Sequence, residues 1–102
     1  MVRPRVDLHD ILVDTLNSDN VYFQPPNNLK IQYPCIVYGL EGSTADYADN
    51  KRFSNRRRYQ ITLIDRNPDS LVVSSIENLE YCSFDRSFAS DGLNHFVFTL
   101  HF

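Results

Sequence analysis

Apolar positions along the chain switch between two periods, and each switch marks an element. Leu8, Ile11, Leu12 and Leu16 recur at helical spacing, which predicts a helix over residues 7–18 with one stripe facing a core. Asp7 is placed to cap it, and Val6 and Ile11 have the spacing of a hydrophobic staple. The cluster Asn17-Ser18-Asp19-Asn20 stops it. Val21-Tyr22-Phe23 then reads as a short edge strand, cut off by Gln24-Pro25-Pro26-Asn27-Asn28, because prolines cannot donate to a ladder. Pro34 opens Cys35-Ile36-Val37-Tyr38-Gly39-Leu40, apolar on both alternating faces, which suits a strand covered on both sides or a strand at an interface.

From Glu41 to Asn55 the pattern disappears, and a loop over 41–55 that projects from the body is expected. Tyr47 and Phe53 are its aromatics and its candidate anchors on a partner. Tyr59, Ile61 and Leu63 then alternate with Arg58, Gln60 and Thr62, the plainest strand in the chain, one face core and one polar. Asn67, Pro68 and Asp69 suit the N-cap, first position and first turn of a second helix over 68–79, with Val72, Ile76 and Leu79 inward. Residues 81–102 read as a hairpin about Asp91-Gly92, whose last strand carries a core-facing comb of Phe96, Phe98, Leu100 and Phe102. Its other face holds His95, Val97, Thr99 and His101, taken as exposed. The sum is a single α+β domain over 1–102, a two-layer sandwich of about four main strands, mostly antiparallel, against two helices.

Length and composition narrow this picture only a little. The 102 residues make one modest core, with 42% hydrophobic residues, and a domain this small often gains stability by pairing with copies of itself. The net charge of -3 argues against a dedicated nucleic-acid binder. Lys51, Arg52, Arg56, Arg57 and Arg58 nonetheless concentrate half the ten basic residues in one stretch, where an anionic partner would meet them first. Cys35 and Cys82 sit in apolar stretches and read as buried reduced thiols. The start, Met1-Val2-Arg3-Pro4-Arg5, lacks the apolar region of a signal peptide, and no run approaches a membrane span. A soluble chain made in a reducing cytoplasm is expected.

Candidate chemistry is sparse. Asp65 and Asp69 have a sufficient role as caps. His95 and His101, six positions apart on one strand, stand roughly 20 Å from each other, too far to share an ion. Gly39, Gly42 and Gly92 form neither a nucleophile elbow nor a phosphate loop. The expectation is therefore a binding or assembly module, with no catalytic residues, metal or cofactor.

Several segments in order carry a resemblance. Val21-Tyr22-Phe23-Gln24-Pro25-Pro26, Tyr33-Pro34-Cys35-Ile36-Val37-Tyr38, Ala48-Asp49-Asn50, Arg58 through Ser70, Cys82-Ser83-Phe84-Asp85-Arg86 and Leu93 through Phe98 resemble the tail-terminator, or tail-completion, proteins of long-tailed bacteriophages. The likeness spans nearly the whole chain. It implies a virion protein, made in the host cytoplasm, that caps the head-proximal end of the tail tube as a ring, generally a hexamer, and offers the surface for head-tail joining. Implied partners are copies of itself, the tail tube protein and the connector or stopper protein, with DNA passing nearby and no membrane. A connector component on the portal side, or a small enzyme with a site between subunits, are the alternatives. A ring needs unlike patches. Candidate interface residues are Tyr47, Lys51, Arg52, Phe53, Arg56, Arg57, Arg58, Ile36, Tyr38, His95 and His101.

Overall fold

The computed structural model describes residues 3–48 and 51–102, with side chains described for 3–42 and 56–102. The chain runs α1 (Arg5–Leu16), β1 (Val21–Phe23), β2 (Cys35–Ala48), β3 (Lys51–Asp65), α2 (Val72–Glu77), β4 (Cys82–Ser90) and β5 (Leu93–His101). The strands form one sheet in the order β1-β2-β3-β5-β4. Only β1 and β2 run parallel, and every other pairing is antiparallel. This is the expected α+β architecture, four main strands and a three-residue edge strand with two helices.

Alternation decides which side of the sheet is core. Ile36, Leu63 and Phe96 lie across one another, as do Tyr38, Ile61 and Phe98, and these rows meet Leu8, Leu12 and Leu16 of α1 and Ile76 of α2 in one cluster. Non-polar surface removed from water in this way is the main force holding the domain together. The opposite face is not bare. Cys35 and Val97 are buried there, outside the helix-side cluster. Val97, expected to be exposed, retains 2% of its surface, because it is a short side chain flanked in the sheet by Thr62 and Arg86.

Both helices differ from expectation at their boundaries. α1 starts at Arg5 with Pro4 at the cap position, so Asp7 lies in the first turn instead of capping, and there it still favours the helix dipole. The helix ends at Leu16, two residues before the expected 18, because Asn17, the first residue of the polar stop cluster, already takes the left-handed conformation at φ 58°. α2 is shorter than residues 68–79. Asp65 Oδ1 accepts from the Asn67 N–H and Asn67 Oδ1 from the Asp69 N–H. These two side-chain bonds hold 65–69 in successive turns and delay the helix. Asp91 and Gly92 both have positive φ, 54° and 75°, and close the expected two-residue hairpin.

The largest correction concerns 41–55. Instead of a loop, the structure has the distal halves of β2 and β3, paired from Ser43↔Arg57 to Ala48↔Lys51. Ladder pairing to β5 stops at Arg58↔His101, with one further bond from the Phe102 N–H to the Arg57 carbonyl. Pairing to β1 ends at Tyr38. The segment does project, as expected, but as a two-stranded arm, and the molecule measures 50 Å along its long axis against 24 and 22 Å across.

Candidate assembly interface

The arginine run sits at the root of this arm, and strand alternation splits it. Arg56 and Arg58 point to the face away from the helices, and Arg57 to the other. Arg58 Nε lies 3.3 Å from Glu41 Oε2. The pairing register slips between Leu40 and Gly42, so Glu41 is the extra residue of a bulge, which turns its carboxylate toward the arginine. A Cβ at Gly42 would come within 3.2 Å of the Arg58 guanidinium, so the missing side chain leaves the room that Arg58 occupies. Arg56 stacks 4.1 Å from the Tyr81 ring centroid, a cation–π contact that fixes it against the start of β4. Arg57 is exposed. The run is thus three differently engaged groups. Tyr47, Lys51, Arg52 and Phe53 fall on the arm, where their side chains lie outside the described residues.

Ile36 and Tyr38, proposed from sequence as an interface strand, are 0% and 1% exposed. They serve the core and offer a partner no side-chain surface. Tyr38 also anchors α1. Arg5 donates to its hydroxyl at 2.9 Å, and His9 Nδ1 lies 2.7 Å from the same oxygen. Phe23, Tyr59 and His9 ring it at centroid distances of 5.1, 6.2 and 5.7 Å, and the Arg5 guanidinium covers Phe23 at 4.4 Å. Burial raises the phenol pKa, and the Arg5 hydrogen bond and charge oppose that rise. Such a hub orients a helix, and Tyr38 also contributes to the wall of a groove on the sheet.

His95 and His101 lie on the non-helical face of β5. His95 stacks flat on Phe88, 4.6 Å between centroids and 10° between planes, with its Nδ1 buried and without a hydrogen-bond partner among the described residues. His101 stands beside Arg58 in register. Among the described residues no three His, Cys, Asp or Glu side chains converge as a metal site would require. Burial pushes both the Cys35 and Cys82 thiols up to about 11, which keeps them protonated and poorly nucleophilic at neutral pH.

Two features escaped the sequence. One is an open groove of about 430 Å³ where the Gln24–Pro26 turn overhangs the sheet beside Val37, Gly39 and Thr62. There the Gln24 side chain accepts from the Leu40 N–H at 3.1 Å. The other is β4, exposed from Ser83 to Ser90, with Phe84 at 42% and Phe88 at 47%. Its alternation is plain in the sequence, but alternation does not say that a strand stands at the sheet edge. No protein-family model and no curated protein sequence matches the chain.

Proposed function

We propose that the chain is a structural subunit that assembles with copies of itself into a ring capping the head-proximal end of a bacteriophage tail tube, ending tube growth and presenting the surface for head-tail joining. It is not an enzyme on this reading, and its working site is a set of surfaces in the virion. The observation that carries the reading is the arm. A ribbon of two strands reaching past the sheet is marginal by itself in water and gains support from a neighbour. The order of the segments that resemble tail-terminator proteins supports the same reading.

Arg57, exposed at the arm's root, is placed to meet an acidic partner or the DNA passing through a ring, by charge attraction that salt would weaken. The test is addition of the purified protein to tails assembled without their terminator and, separately, to DNA-filled heads. Binding to tail ends that restores tails of fixed length is the expected outcome. Binding to heads alone would instead assign the chain to the portal-side connector, and turnover of a substrate without either would return it to enzymes.

A further inference from the structure

We infer that copies of this chain join edge to edge, the outer edge of the arm's β2 strand in one copy receiving the Ser87–Ser90 end of β4 from the next. The inference rests on the reading of the chain as a self-assembling subunit and adds which edges meet.

Besides the three-residue β1 at one end of the sheet, three strand edges have no ladder partner among the described residues, and they are not equivalent. β3 along the arm carries Lys51, Arg52, Arg56 and Arg57, a cationic edge of the kind that repels strand addition. β2 from Gly42 to Asp46 keeps one register with β3, which slips only beyond Asp46, and it carries neither proline nor a basic residue, Asp46 being its one charge. β4 is interrupted near its middle, where the register slips between Phe84 and Arg86 and Arg86 pairs with its neighbour Asp85 at 2.8 Å. Bulge and charge blunt that part. Beyond it, Ser87-Phe88-Ala89-Ser90 is uncharged, regular in register and exposed.

The direction of the free groups follows from the hairpin. Ser90 and Leu93 close the two-residue turn, so they are a hydrogen-bonded pair. Alternation along an antiparallel ladder then aims the N–H and C=O groups of Ala89 and Ser87 away from β5, outward. A strand laid along them would satisfy that row and cover the half-exposed Phe88. β4 and the arm's β2 stand at opposite margins of the sheet. Their union is heterologous, so each copy keeps one of each edge free for the next, which is the condition for a ring. It also supplies the arm with the third strand it lacks.

Ser87→Pro removes one outward donor at an edge position, where proline is tolerated. Combined with Ala89→Lys, it should leave the far-ultraviolet circular dichroism unchanged and weaken self-association at least tenfold by sedimentation. A folded double variant that assembles like the parent would overturn the inference while leaving the ring reading intact. A parent chain that assembles yet never engages tails would do the reverse. Should the proline variant misfold, cross-linking decides. In a Cys82→Ser background, a short bismaleimide should join Thr44→Cys chains to Ser87→Cys chains when the two are mixed. Dimers from Ser87→Cys chains alone, with none gained on mixing, would mean that β4 pairs with itself.

Discussion

β3 lives in two environments, and the contrast between its halves separates the part that holds the domain together from the part that stands outside it. From Arg58 to Asp65 it has a partner on each side, and Tyr59, Ile61 and Leu63 lie under the helices with almost no exposed surface. From Lys51 to Arg57 its ladder partner is β2 alone, and its composition turns from apolar to cationic. The first half contributes to the domain's own free energy. The second contributes little to it, because a two-stranded ribbon buries little non-polar surface, and so it is free to be shaped by what it touches.

The largest effects should separate these halves cleanly. Phe98→Ala empties the position across from Ile61, and about 3–5 kcal/mol of stability should be lost, read as a lower denaturant midpoint. Replacing residues 41–55 by a short Gly-Ser turn should keep a soluble fold and abolish ring formation. A truncated chain that still forms rings and completes tails would show that the arm is only a connection. Next is alkaline pH. The Cys35 and Cys82 pKa values are raised on folding to about 11, so protonated thiols favour the native state. That contribution is complete below the unfolded-state thiol pKa and is lost as pH rises through the folded value. Stability should therefore decline by on the order of 2 kcal/mol for each thiol between about pH 9 and pH 11. A Cys35→Ala chain with the same slope would remove that thiol as the cause.

Smaller still is Tyr38→Phe, which takes away the hydroxyl that Arg5 and His9 share and should cost about 1–2 kcal/mol. Amide exchange should rise mostly in α1; a rise spread over the whole domain would contradict the anchoring role. Smallest is Arg58→Ala. Its ion pair with Glu41 is solvent-exposed, 43% and 37% for the two side chains, and should be worth no more than about 0.5 kcal/mol. A loss of several kcal/mol there would mean that the root of the arm supports the core.

The same contrast marks what the sequence discloses. Tyr59, Ile61 and Leu63 alternate against polar neighbours, and that pattern finds the packed half of β3 unaided, as the comb ending in Phe102 finds β5. Gly42-Ser43-Thr44-Ala45 has no alternation, since a strand with no core beneath it has no face to distinguish. The arm is a strand because β3 pairs with it from Ser43↔Arg57 to Ala48↔Lys51, a relation between two neighbouring segments that periodicity within either one does not show. Tyr38 misled for a similar reason. A run apolar on both faces fits burial and interface equally well, and only the position of α1, through Arg5 and His9, decides between them. The exposed aromatics of β4 were legible as residues, but their place at the sheet margin depends on strand order.

The Asp91-Gly92 turn bears on how the chain reaches this state in time. It lets β4 and β5 meet across two residues, and β2 and β3 are also neighbours in sequence, so both hairpins can form through local contacts. Joining them requires β5 to find β3 across the intervening α2 segment, with Tyr59 reaching Leu100, and closing so long a loop is the slow step. Refolding is therefore expected to slow when Phe98 is truncated. A change confined to the arm should leave the refolding rate nearly unaltered, which stopped-flow fluorescence of the tyrosines would measure.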